Sequence, residues 1–217
     1  MTRDAVYLEV ASRRTFAGAI EWPGWTRGAR TEAEALDALL ASAPRYAALA
    51  GRGFRMPKDL SALEITERLR GVATTEFGAP GEIPKADTRV LDAKELERQL
   101  RLLDAAWEAF DAAARSARGV ELRKGPRGGG RDLPRILEHV VGAETSYLAS
   151  LGARYRGPGD EHGELRKAVR AALTAVARGE PVENANAVKR RWPPRYFVRR
   201  AAWHVLDHAW EIEDRAG

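Results

Sequence analysis

Apolar and polar positions change their rhythm along this chain. Near the N-terminus they alternate. Val6, Leu8 and Val10 fall on one side of residues 5–10, Tyr7 and Glu9 on the other, and this period of two predicts a strand. Residues 15–21 predict a second strand, with Phe16, Gly18 and Ile20 on one face. The Trp22-Pro23-Gly24-Trp25 segment breaks it, and residues 25–28 add a short third strand. Thr31 then caps a helix, and Glu34 three residues on completes a capping box. Leu36, Leu39, Leu40, Ala43 and Ala47 form the apolar stripe of that helix. Residues 63–69 alternate again and are expected to return to the sheet.

Residues 71–92 are rich in Gly and Pro, carry no clear period and read as a long connection between domains. Beyond them the spacing is helical almost throughout. Residues 92–117 predict a helix with Leu96, Leu100, Leu103, Trp107 and Phe110 on one face. The loop 119–132, which holds the run KGPRGGG, separates it from a second helix at 133–151. Asp132 caps that helix and Pro134 sits in its first turn. A third helix is expected over about 161–178 and a fourth over about 194–215. Four helices with short or medium connections predict a four-helix bundle. The expected fold is α+β: a small sheet-plus-helix module at 1–72, a linker at 73–91 and a four-helix bundle at 92–217.

The stretch TFAGAIEWPGWTRGARTEAEALDALLASA, residues 15–43, combines a strand, a Trp-Pro-Gly turn, the Gly28 turn and a Thr-x-x-Glu helix start. In this it resembles the HicB-like fold, a sheet-plus-helix module of bacterial toxin–antitoxin pairs. No ribbon-helix-helix or helix-turn-helix pattern follows it, so the DNA-binding part of a typical antitoxin is not apparent in the sequence.

Composition narrows the chemistry. With 44% hydrophobic and 31% charged residues the chain of 217 residues is globular rather than disordered or fibrous. No apolar run approaches the ~18–20 residues a membrane span needs. The opening MTRDAVYLEV lacks a basic-then-apolar export signal, so a cytoplasmic protein without a membrane partner is expected. The 30 Arg and 39 Ala residues point to a GC-rich bacterial genome. The absence of Cys excludes disulfides, thiolate metal sites, iron–sulfur clusters and a Cys nucleophile. A transition metal must then rest on carboxylates and on the 4 His residues.

Three of those histidines fall at informative places. His204 and His208 lie four apart in RRAAWHVLDHAWEIEDR, so both imidazoles leave one helix face one turn apart and can reach one cation. His139, in RILEHVVGAETSYL, shares its side of the helix with Ile136, Ala143 and Tyr147 and is expected to face inward. His162, in GPGDEHGE, reads as a surface residue in a polar turn. Glu211 lies one turn beyond His208, where it can bond water or substrate or stand as a solvated helix-end carboxylate. Asp207 reads as a surface residue, and Glu138 is rotated off the His139 face.

A four-helix pattern with one His in its second helix and His-x-x-x-His in its fourth resembles the DinB-like superfamily, over roughly residues 92–217. That superfamily includes thiol-dependent transferases and isomerases, mycothiol-dependent maleylpyruvate isomerase among them. The resemblance implies that His139, His204 and His208 bind a divalent metal and leave positions for water or substrate. Zinc is the leading expectation; nickel and ferrous iron accept the same donors. The metal would acidify a bound water or activate the thiolate of a low-molecular-weight thiol. The expected function is a metal-dependent enzyme acting on a small molecule, a thiol-dependent transferase or isomerase, or a hydrolase. The alternative is a non-catalytic binding or regulatory protein that uses its HicB-like module for partner contacts, with the bundle as scaffold. A homodimer is compatible with either.

The segment KRRWPPRYFVRR, residues 189–200, interleaves basic residues with Trp192, Tyr196 and Phe197. Three readings stay open: a nucleic-acid contact, the rim of a pocket for an anionic small molecule, and a solvated loop entering the fourth helix. Arg123, Lys124, Arg127 and Arg131 add a second basic group around the glycine run. That run is no phosphate loop, because no Gly-Lys-Ser/Thr follows it and a helix precedes it; it reads as a flexible loop at the bundle mouth. The net charge of +5 is modest and no reading helix is evident, so no specific nucleic-acid recognition is expected.

Overall fold

The alternating stretches pair into one sheet. In the computed structural model, which describes residues 3–124, 130–157, 162–182 and 191–217, the strands are β1 (Asp4–Val10), β2 (Thr15–Ala19), β3 (Thr26–Ala29) and β4 (Leu63–Arg70). Their order is β3-β2-β1-β4, with β4 parallel to β1 and the other pairs antiparallel. A parallel return needs a long crossover, and α1 (Glu32–Ala41) and α2 (Ala43–Ala50) supply it. The chain divides into two compact units, Met1–Arg89 and Val90–Gly217.

The capping box of α1 forms as expected, with Thr31 and Glu34 each accepting from the other's backbone N–H. The single helix expected beyond it is instead two, broken between Ala41 and Ala43. Pro44 has no N–H to donate back into α1, and the Ser42 hydroxyl donates to the Leu39 carbonyl at 2.7 Å. The break serves the core: Trp25 is fully buried, and its indole N–H is shared between the Leu39 carbonyl at 3.0 Å and the Ser42 hydroxyl at 3.1 Å. Tyr46 stacks on that indole and donates its hydroxyl to the Pro23 carbonyl at 2.8 Å.

Where a linker is expected over 73–91, the chain up to Arg89 clusters with the first unit. It carries a short helix, α3 (Ala73–Phe77), and a single 3-10 turn at Lys85–Thr88. The cause is Glu9 on β1, whose buried carboxylate accepts from the backbone N–H of Gly81 at 2.9 Å and of Glu82 at 3.1 Å, and from the Thr75 hydroxyl. Glu9→Ala strands these donors. At about 1–3 kcal/mol for a buried group left unpaired, the variant should lose about 2–4 kcal/mol. Amide exchange at Gly81 and Glu82 should accelerate with it, and unchanged protection there would show that the segment is held by something else.

The second unit contains α4 (Ala93–Ser116), α5 (Leu133–Ser150), α6 (His162–Ala177) and α7 (Pro194–Ala216). Asp92 and Asp132 cap α4 and α5 through the backbone N–H of Glu95 and Arg135. Leu96, Leu100, Leu103, Trp107 and Phe110 are all buried along α4, as their spacing predicts. The fold is thus α+β with a helical C-terminal part. The most extensive helix pairing is α4 on α7. Among the described residues no helix is long and apolar enough to cross a membrane.

Candidate metal centre

Burial of α7 runs well beyond one stripe, from Tyr196 to Ile212, and sweeps in Arg199, Arg200, His204 and His208. Ionisable side chains are buried this way only when something compensates them. His204 and His208 leave the same face one turn apart, with ring centroids 4.7 Å apart. His139 reaches them from α5, its ring 5.1 Å from that of His204 and 5.0 Å from that of His208. Each of the three offers one ring nitrogen to a group whose members all lie within 4.8 Å of one another. Among the described residues this is the one cluster of at least three His, Asp or Glu side chains so placed.

One pair of these nitrogens has the spacing of a shared ion. Two nitrogens each ~2.0–2.1 Å from one cation stand about 2.9–3.4 Å apart for angles between octahedral and tetrahedral, and Nε2 of His204 lies 3.2 Å from Nε2 of His139. The electrostatics suit it too, because a metal binds the neutral imidazole. Burial, followed by the charges of His208, Arg200, His139 and Arg131, pushes the His204 pKa down to about 2. Burial and then Arg131 also lower that of His139. The Nδ1 atom of His204 is buried with no hydrogen-bond partner among the described residues, and its Nε2 faces Nε2 of His139.

Glu211 is fixed by two side-chain bonds. Its Oε2 lies 2.8 Å from Nδ1 of His208, and its Oε1 accepts from Arg215 at 2.6 Å. The bond from His208, then that from Arg215, holds its carboxyl below the usual range. A carboxylate on the far nitrogen fixes the tautomer and orientation of a ligand histidine. Arg215 is itself tied to Arg123, whose carbonyl accepts from its Nε at 2.7 Å.

His162 is not in the cluster. Nor does it sit in a surface turn: it is the first residue of α6, half-buried, and lines a groove of about 560 Å³ with Asp111 and Glu138. The basic segment also departs from a solvated loop. From Pro194 onward it is α7, Arg195 pairs with Glu95 at 3.0 Å, and Arg199 and Arg200 are buried. Lys189, Arg190 and Arg127 lie outside the described residues. Two further buried groups, Glu144 and Arg200, escape a reading by motif, although each has a signal. Glu144 falls on the buried stripe of Ile136, Val140 and Leu148 at spacing four, and Arg200 stands four before His204.

Comparison of the chain with protein-family models, with curated proteins and with solved structures gave no match.

Proposed function

We propose that the second unit binds a divalent metal through His139, His204 and His208 and is a metal-dependent enzyme acting on a small molecule. The observation that carries this reading is the convergence of three imidazole nitrogens from two helices. The resemblance of residues 92–217 to the DinB-like superfamily favours a thiol-dependent transferase or isomerase over a hydrolase. When bound, the ion would supply Lewis acidity to a coordinated water or to the thiolate of a low-molecular-weight thiol. Zinc is the first choice for three neutral nitrogens, with nickel and ferrous iron as the other candidates.

The chain's own residues divide the remaining work. His204 and His208 are buried, and His139 is partly exposed. Glu211 orients His208, and Arg215 orients Glu211. Metal analysis of the native protein tests the proposal. Near-stoichiometric metal that disappears in a His139/His204/His208 triple variant supports it, whereas metal-free protein of unchanged stability returns the bundle to a scaffold. Glu211→Gln should weaken zinc binding about 10- to 100-fold, the usual effect of losing a carboxylate behind a ligand histidine. Zinc isotherms matching those of the wild type would show that Glu211 only ties α7 to Arg215.

A further inference from the structure

Arg200 is 8% exposed, and among the described residues it pairs with no carboxylate. Its neighbours on and around α7 show what a buried arginine ordinarily finds. Arg195 has Glu95 at 3.0 Å, Arg215 has Glu211 at 2.6 Å, and Arg166 grips both oxygens of Asp111 at 2.7 and 3.0 Å. The guanidinium of Arg200 is instead held between two aromatic faces, 4.6 Å from the ring of Trp203 and 5.3 Å from that of Tyr147. Its Nη1 is buried with no hydrogen-bond partner among the described residues. Glu211 bonds His208 and Arg215 instead, and Glu144 accepts from Trp107.

The location gives this unpaired cation a use. Arg200 is one turn before His204 on the same face of α7, about 6 Å along the helix. Tyr147 bridges the two, its ring edge-on to His204 at 5.7 Å. Trp192 extends the aromatic wall, 5.1 Å from Tyr147. A metal binds imidazoles in their neutral form and the Glu211 charge is offset by Arg215, so a divalent ion there would leave the site with surplus positive charge. A guanidinium presents a planar fork that matches a carboxylate, and it attracts one strongly where water is excluded.

We propose that Arg200 is an anion-binding residue beside the three-His centre, and that the ligand taken there is a small organic acid whose carboxylate pairs with this guanidinium. The proposal rests on the three-His reading for its chemistry but not for its binding. The acid's apolar body lies along Tyr147 and Trp192, and a second donor atom on it faces the histidines.

Benzoate and its neutral isostere benzamide are suitable probes, titrated calorimetrically into zinc-loaded and chelator-treated full-length protein. Wild type should prefer benzoate at least about tenfold, the scale of one charge-assisted pair. Arg200→Gln should abolish that preference, Arg200→Lys should keep part of it, and both should bind zinc within about twofold of wild type, since neither removes a ligand. Arg200→Met should melt at or above the wild-type temperature without ligand, because it removes an unpaired buried charge. A cation needed only for packing on Trp203 and Tyr147 would give a lower melting temperature, and that result would overturn the proposal. Equal benzoate affinity in wild type and Arg200→Gln would overturn it as well. Should zinc fail to bind, the metal reading falls alone: Arg200-dependent benzoate binding in the chelator-treated arm would still support the anion site, and its absence there would end it.

Discussion

With an ion in the proposed three-histidine centre, removing the metal should lower the melting temperature of the wild-type protein by about 10 °C or more and leave His139→Ala nearly unchanged. An ion that binds only the folded bundle stabilises it by RT ln(1 + [M]/Kd), about 4 kcal/mol at a thousandfold excess over Kd. For a unit of this size each kcal/mol is worth a few degrees. His139 is the most informative of the three to replace. It is half-exposed, so its loss opens little core, whereas His204 and His208 are buried on the helix that runs through the unit. It is also the one histidine of the three on α5, so an ion held by all three would tie α5 to α7, and two histidines on one helix would not. Calorimetric titration with zinc should show a sharp loss of affinity in each of the three single Ala variants and none in His162→Ala. Equal zinc affinity for wild type and His139→Ala would sink the three-histidine centre.

The histidines were legible because they obey helix periodicity. His204 and His208 share a face by spacing alone, and His139 lies on the inward side of its helix by the company of Ile136 and Tyr147. The strands were legible for the matching reason, since a period of two needs little context. What escaped was decided by context. Glu9 belongs to an alternating strand, and the period alone does not show that residues 73–89 fold over it and supply three donors. The break after α1 was within reach, because Pro44 cannot continue a hydrogen-bonded turn; the apolar spacing of Leu39, Ala43 and Ala47 runs through the break and hides it.

Arg200 and Glu144 mark a deeper limit. A charge at a stripe position is equally the sign of a paired residue, a solvated edge or a functional group, and only the three-dimensional partners separate these cases. The sequence of α7 offers Arg195, Arg199, Arg200 and Arg215 as equals. In the fold Arg195 and Arg215 have carboxylates within 3.0 Å, and Arg200 has two aromatic rings. Chain order cannot reveal that difference, because the Glu95 that neutralises Arg195 is a hundred positions away.

Glu144→Gln should make the protein more stable than wild type at neutral and alkaline pH, by about 3 kcal/mol, and should flatten its pH dependence. Glu144 is 2% exposed, accepts from the indole N–H of Trp107, and leaves its second oxygen buried without a partner among the described residues. Burial pushes its pKa up to about 7, against the lowering effects of Arg166 and the Trp107 bond, with Asp111 raising it slightly further. The sign follows from linkage. A carboxyl whose folded pKa exceeds its unfolded value of 4.5 holds its proton in the native state while the unfolded chain has already released it. Its contribution to stability is therefore full below pH 4.5, declines as pH rises, and is spent above about pH 7. At about 1.4 kcal/mol per pKa unit the loss across this window is about 3 kcal/mol. Gln keeps the acceptor for Trp107 and has no proton to lose, so it avoids the penalty. Urea denaturation of both proteins from pH 4 to pH 8, in chelator to remove any metal linkage, isolates the effect, because every other titrating group is common to the pair. The two stability curves should diverge between about pH 4.5 and pH 7 and run parallel above. Curves that stay parallel throughout would mean that Glu144 is ionised in the folded bundle, with the charge of Arg166 outweighing its burial.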